Sequence, residues 1–282
     1  MTSVQSMPKP DGFSSDWLTL REPADHAARN GDVTQAMLDH LARGQGRITL
    51  MDFGCGTGST VRALSSVLSR RFADRTQHWV LVDADEALLD RARDAHRSMD
   101  TASITIECQP ADLADPATVA ALLDRVRPDV LTSSALIDLV SAAWLDSLAA
   151  ALAKRRTALC FALNYTGRET WKPPHPLDGA ILEAFNADQR RDKGFGPALG
   201  GDAADHLAAA LAKHGFQLTV GASDWHLDRS HAALIEKLAT GIADAAAASG
   251  KVSKAQANDW LADRVAAEHV VVGHIDLFAL PG

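Results

Sequence analysis

Three glycines at alternate positions, the first of them two residues after an acidic one, are the part of this chain best equipped for chemistry: Asp52-Phe53-Gly54-Cys55-Gly56-Thr57-Gly58. Glycine lets a backbone come close to a ligand. A helix that starts just beyond such a loop aims its unpaired first N–H groups at the same ligand. Both conditions are met here. The apolar run before the loop reads as a strand, Ile48–Phe53, and Val61, Leu64, Val67 and Leu68 repeat with helical spacing after it. The spacing departs from the dinucleotide fingerprint G-x-G-x-x-G, because Ser59 stands where the third glycine would be.

Acidic residues recur at the ends of the next apolar runs. In Val80-Leu81-Val82-Asp83-Ala84-Asp85, the Asp83 carboxylate is placed to accept two hydrogen bonds from a ribose diol, while Asp85, next to Glu86, suits a helix N-cap. A third run ends in Gln109-Pro110-Ala111-Asp112-Leu113 and a fourth in Leu131-Thr132-Ser133-Ser134-Ala135-Leu136.

These groups can meet only if the runs are neighbouring strands of one sheet. Strands are predicted at Ile48–Phe53, 79–82, 104–108, 130–133 and 158–164, with helices at Ser59–Arg71, 86–97, 116–127 and 141–154 between them. Strict alternation predicts an α/β, Rossmann-like doubly wound and mostly parallel sheet, whose strand C-termini lie along one ligand-binding edge. The rhythm then breaks. Residues 165–202 hold Pro173, Pro174, Pro176, Pro197 and several glycines around a helix at Asp178–Gln189. A helix at 202–214, a strand at Phe216–Ala222, helices at 228–248 and 253–267 and a last strand at 270–280 complete the prediction. Upstream, residues 1–12 are polar and 13–43 helical, with Pro23 expected to open the second of two helices.

Composition narrows the partners. With 282 residues, 46% of them hydrophobic, the chain can bury one large core with appendages. Its 28 basic and 36 acidic residues leave a formal charge of −8, which argues against steering toward nucleic acid. Cys55, Cys108 and Cys160 lie far apart beside apolar runs and read as buried thiols of a reducing cytosol. The histidines show no metal-ligand spacing, so no metal is expected. No apolar run is long enough to span a membrane, and the N-terminus lacks a signal-peptide pattern. A soluble, cytoplasmic protein with a small-molecule substrate and no membrane partner is expected. Its oligomeric state is left open, a homodimer included.

Taken together, the motifs resemble those of the class I S-adenosylmethionine-dependent methyltransferases. Asp52-Phe53-Gly54-Cys55-Gly56-Thr57-Gly58 is similar to that family's D-x-G-x-G-x-G motif, Asp83 to its ribose-binding acid, and Asp112-Leu113 to the pair bracketing the adenine. Asp129-Val130-Leu131-Thr132-Ser133-Ser134 resembles the fourth-strand motif beneath the methionine part of the cofactor. The likeness covers residues 45–165 and, more loosely, the last two strands, which it implies are an antiparallel pair at the sheet edge. It implies S-adenosyl-L-methionine as cofactor. The loop and Asp52 would then meet its amino-acid end, and Ala84, Leu113 and Asp112 its adenine. Asp52 is equally suited to bracing the glycine turn. The segment Trp17-Leu18-Thr19-Leu20-Arg21-Glu22-Pro23 resembles the N-terminal cap helices of small-molecule methyltransferases, which would bring Arg21 to the cofactor carboxylate.

The resemblance divides the chain into a helical cap, residues 1–44, and a methyltransferase domain, residues 45–282. Within the latter, 165–202 would be a substrate lid and 226–268 a helical insertion. Candidates for the acceptor side are Asp138, a base or a helix cap just past the fourth strand; Tyr165, the one tyrosine, orienting or packing; and His175, a base in a proline-held turn or a solvated imidazole. The fourth strand lacks the N/D-P-P-Y/F motif of amino-methylating DNA enzymes, which favours O- or N-methylation of a small molecule. An NAD(P)-dependent oxidoreductase and a non-catalytic S-adenosylmethionine-binding protein are the alternatives.

Overall fold

β1 (Ile48–Phe53) is buried along its whole length, as a strand must be when helices cover both faces of its sheet. The computed structural model describes residues 14–97, 99 and 101–282; the expected polar N-terminal stretch, 1–12, lies outside the described residues. Before β1 come α1 (Ser15–Ala28) and α2 (Gly31–Leu41), and after it α3 (Ser59–Arg71), β2 (Gln77–Asp83), α4 (Glu86–His96), β3 (Ile104–Pro110) and α5 (Pro116–Val126). Then follow β4 (Val130–Ser134), α6 (Ala142–Arg155), β5 (Ala158–Lys172), α7 (Asp178–Gln189) and α8 (Ala203–Lys213). The chain ends with β6 (Phe216–Ala222), β7 (Trp225–Asp228), α9 (Ala232–Ala248), α10 (Lys254–Arg264) and β8 (His269–Pro281).

The sheet order is β3-β2-β1-β4-β5-β8-β6, with β1 to β5 mutually parallel. β8 runs antiparallel between β5 and β6, so the antiparallel strand lies one place in from the edge. One face buries Leu64, Leu68 and Leu89 of α3 and α4 with Met37 of α2. The other buries Leu123, Leu148 and Leu207 of α5, α6 and α8. Local signals set the helix starts. Asp85 accepts from the N–H groups of Ala87 and Leu88 (2.9 and 3.3 Å), as its place before Glu86 predicts. Asp115 caps α5 ahead of Pro116.

Three expectations are corrected. Pro23 lies inside α1; the second helix begins at Gly31 because Asn30 accepts from the N–H groups of Asp32 and Val33 (3.0 and 3.1 Å). β5 does not stop at 164 but continues to Lys172, paired with the first half of β8 from Tyr165↔His274 to Lys172↔His269. Its polar stretch Thr166-Gly167-Arg168-Glu169-Thr170 lacks the apolar run that marks the rest of the sheet, and register shifts interrupt the strand between Phe161 and Asn164 and between Tyr165 and Glu169. At the first, Leu163 takes a left-handed φ of 55° and donates its N–H to Asp276 Oδ1 at 2.7 Å. Finally, β7 pairs with β8 where loop and helix are predicted. The extended β5–β8 ribbon carries a second core above the strand C-termini, in which Trp171 of β5 meets Trp260 of α10 edge-on at 5.2 Å and Trp225, Ile181 and Ile242 are buried with them.

Candidate active site

A cleft of about 750 Å³ opens where the C-terminal ends of β1 to β4 meet α1 and the loop after α7. The glycine loop forms its floor, with Gly54, Gly56 and Gly58 all at positive φ (61°, 53° and 82°). Gly58 caps α3 without any side-chain acceptor, so the first N–H groups of that helix are free to face a ligand. A Cβ on Gly58 would lie 2.3 Å from Cε1 of His96, a buried ring whose Nδ1 bonds Ala92 O at 2.7 Å. Gly58→Ala is therefore expected to cost roughly 2 kcal/mol in denaturant unfolding, from left-handed strain and a neighbour that cannot retreat. Adding His96→Ala should recover the steric part. Additive costs of the two substitutions would count against this contact.

Asp83 borders the cleft and holds the loop, its Oδ2 accepting from Gly56 N at 2.8 Å and Oδ1 from Asp85 N at 3.0 Å. Burial pushes its carboxyl above the usual carboxylate range, against the pull of these N–H groups. Ala84, Cys55, Asp112 and Leu113 also border the cleft. Asp112 is exposed, with Oδ1 on Ala114 N (2.9 Å), and Leu113 is fixed by Trp144, whose Nε1 donates to Leu113 O at 2.7 Å.

Two residues expected at the cofactor lie beneath the cleft instead. Asp52 is sealed in the sheet, accepts from Thr132 Oγ1 at 2.7 Å, and is pushed by burial up to about 6. It ties β1 to β4 rather than bordering the cleft. Ser133 is buried and donates to Phe53 O at 2.8 Å; its neighbour Ser134 is the one that borders the cleft, since successive strand residues face opposite ways.

α1 roofs the cleft with Leu18, Arg21 and Asp25. It is held down by Arg62, which donates through Nε to Glu22 (2.6 Å) and through Nη1 to Thr57 O (2.6 Å), and by His26 against Ser59 Oγ (2.9 Å). Arg21 donates through Nε and Nη2 to both oxygens of Asp25 (2.9 and 3.1 Å) and lies over Trp225 at 4.9 Å. Nη1 has no acceptor among the described residues. On the other side Lys193, Gly194 and Phe195 border the cleft, Phe195 edge-on to Trp144 at 5.8 Å.

Next to the cleft is a compact polar group. Asp138 sits in a short turn between Leu136 and Leu139, both of which border the cleft. It caps no helix, since Ser141 starts α6; its Oδ1 is buried and unpartnered among the described residues. Burial pushes its carboxyl up, with Arg21 pulling the other way. Tyr165 is buried on β5, where its single phenolic proton can go to Asn186 Oδ1 (3.1 Å) or Glu169 Oε1 (3.3 Å). Burial and the Glu169 carboxylate push that phenol up, which suits a donor and not a base. Burial also raises Glu169, to about 7, although Trp171 Nε1 donates to its Oε2 at 3.2 Å. His274 on β8 packs against Trp225 (5.2 Å) and Tyr165 (6.2 Å), and burial with the charge of Arg21 takes it down to about 3, so the ring is neutral.

His175 is not brought to this group. Its Nδ1 accepts from Leu177 N at 3.1 Å in the turn before α7, and its Nε2 faces Asp259 and Asp263 of α10 at 3.8 and 3.6 Å. Glu169 and His274 were not singled out from the sequence. For His274 the available signal was polarity inside an otherwise apolar strand, Val270-Val271-Val272-Gly273-His274-Ile275-Asp276-Leu277.

No protein-family model matches the sequence, and no curated protein matches it. Among solved structures, a loganic acid methyltransferase with SAH is similar over 98% of this chain and 99% of that one, at 10% identity and a TM-score of 0.51. The fold is the class I methyltransferase fold. The magnesium protoporphyrin IX methyltransferase of Synechocystis PCC 6803, with bound SAH, is similar over 76% of this chain and 83% of that one, at 15% identity and a TM-score of 0.44. A SAM-dependent methyltransferase from Aquifex aeolicus is similar over 74% and 91%, at 14% identity and a TM-score of 0.41. In this class I fold the cleft lies where ligands of open parallel sheets bind, outside the strand C-termini. No helix among the described residues is long and apolar enough to cross a membrane.

Proposed function

We propose that this chain binds S-adenosyl-L-methionine in the cleft and directs its methyl group to an oxygen or nitrogen of a small molecule. The observation that carries the reading is Asp83, a cleft-facing carboxylate at the end of β2, tied to a loop of three left-handed glycines. The residues suit the cofactor. Asp83 has the acceptors for a ribose diol, the bare glycines and the start of α3 leave room and N–H donors for the amino-acid end, and Leu113 and Ala84 offer an apolar slot with Asp112 as acceptor at its rim. Arg21 would offer Nη1 to the cofactor carboxylate, and Asp52 would act indirectly by fixing the loop.

When bound, the sulfonium supplies an electrophilic methyl group: the acceptor heteroatom bonds to the methyl carbon as the carbon–sulfur bond breaks with its electron pair left on sulfur. The chain's own part is alignment, exclusion of water and acceptance of a proton. α1 and the loop of residues 193–195 exclude water, and the lid role belongs to that loop, because 165–172 is strand and 178–189 is packed in the upper core. Asp138 takes the base role and Tyr165 an orienting one. The net charge of −8 and a cleft walled by Asp25, Asp83 and Asp112 fit a small-molecule partner better than nucleic acid. A cytoplasmic setting fits three free cysteines.

Isothermal titration with S-adenosylmethionine, its demethylated product and NAD tests the reading. Micromolar binding of the first two and none of NAD is expected. NAD binding alone would replace the reading with hydride transfer, and cofactor binding without turnover on a broad acceptor panel would reduce it to a binding protein.

A further inference from the structure

Two polar atoms beside the cleft, Asp138 Oδ1 and His274 Nδ1, are buried and have no hydrogen-bond partner among the described residues. Buried polar atoms are paired in the great majority of cases, so two orphans set behind the wall of one cleft, with Leu136 and Leu139 on either side of Asp138 bordering it, call for a cause. They belong to one neighbourhood. Arg21 lies over Trp225, Trp225 packs on His274, and His274 packs on Tyr165. Asp138 acts electrostatically on Tyr165 and is acted on by Arg21. The surrounding groups come from α1, the turn after β4, β5 and β8, while Arg21, Leu136 and Leu139 open onto the cleft.

The charges here are unequal. Arg21 is already matched by Asp25 through two hydrogen bonds, and the His274 ring is neutral. That leaves Asp138 Oδ1 without a donor from another residue, Arg21 acting on its charge only while paired to Asp25, and Glu169 adds a second acid behind Tyr165. An anionic acceptor would meet like charge and leave Oδ1 still unpaired. A group bearing N–H or O–H would supply the missing donor.

We infer that the methyl acceptor is an amine or hydroxyl compound and not a carboxylate, its N–H or O–H donated to Asp138 Oδ1, with His274 contacting the same molecule. The inference rests on the proposed methyl transfer. When the neutral nitrogen or oxygen of the acceptor bonds to the methyl carbon and the carbon–sulfur bond breaks with its electron pair left on sulfur, the proton that heteroatom carried passes to Asp138 Oδ1, so the carboxylate ends neutral and the methylated product carries no added charge. Tyr165 keeps its own proton and orients the acceptor. His274 is a further binding residue on the strand that separates β5 from β6.

The test uses the full chain saturated with the demethylated cofactor product and three probes of similar size: benzylamine, phenol and benzoate. Binding is read by ligand-observed NMR. Benzylamine or phenol is expected to bind at least tenfold more tightly than benzoate. In Asp138→Asn, which removes the charge and adds an N–H donor, that preference should shrink at least tenfold or invert. His274→Phe, which keeps the ring packing, should weaken the favoured probe several-fold without changing the order. Tighter binding of benzoate by the unaltered chain, or an unchanged preference in Asp138→Asn, overturns the inference. Titration of the demethylated product into each variant separates the two levels. If it binds normally, the cofactor reading stands whatever the probes do; if the unaltered chain fails to bind it, that reading falls first.

Discussion

Replacing Asp83 by alanine is expected to weaken S-adenosylmethionine binding roughly 100- to 10,000-fold while the chain stays folded. A carboxylate that accepts two hydrogen bonds from a ribose diol contributes about 1.5–3 kcal/mol for each, and 1.4 kcal/mol is a decade of affinity. The same carboxylate also accepts from Gly56 N and Asp85 N, so its loss loosens the loop as well as the ribose contact. Both freed N–H groups lie at the cleft, where water can reach them, and removing a carboxyl already raised by burial relieves a desolvation cost. The fold should therefore survive. Titration calorimetry checks the affinity, and denaturant unfolding checks the fold. Asp83→Asn, which keeps one acceptor, should fall between, near a tenfold loss. Wild-type affinity in Asp83→Ala would remove this residue, and with it the ribose assignment, from the site.

The half of the site built on regular elements was legible in the sequence because each device there is local. Gly54, Gly56 and Gly58 announce their own conformation, Asp83 follows directly from where β2 ends, and Asp85 announces a cap three residues before Leu88. Local signals fail where position depends on long-range pairing. The sequence does not show that Glu169 lies on a strand, because Thr166 to Thr170 becomes strand only by pairing with β8, about a hundred residues later. For the same reason His274 could be read as an ordinary histidine until Trp225 and Tyr165 were found on either side of it. Ser133 and Ser134 mark the limit of motif reading. Both match a strand-end pattern, but the pleat gives one to the core and the other to the cleft. His175 shows the converse, since a proline-framed imidazole suggests chemistry locally while its partners, Leu177 and α10, make it part of a turn.

The acids of this upper core leave a signature in how stability varies with pH. Burial holds Glu169 at about 7 against an ordinary value of 4.5. Its folded-state value is raised, so the stability it contributes is fully present below pH 4.5 and is lost as pH rises through 7. A shift of that size corresponds to about 2–3 kcal/mol, the lower end allowing for water reaching a residue that is not wholly sealed. Glu169→Gln cannot ionise. At pH 5 the variant should be no more stable than the original chain, and slightly less so, because its amide turns a donor toward either Tyr165 or Trp171. At pH 8 it should be more stable than the original by about 2 kcal/mol, so the two unfolding curves cross between those values. His274, held near 3, acts in the opposite sense by withdrawing stability as pH falls below 6.5, but it does so equally in both proteins and cancels from their difference. Urea unfolding of the two chains at half-unit pH steps measures that difference directly. A gap that does not change with pH would mean that Glu169 is ionised at neutral pH and stabilised by a donor other than Tyr165 and Trp171, and the polar group beside the cleft would then carry a full second negative charge.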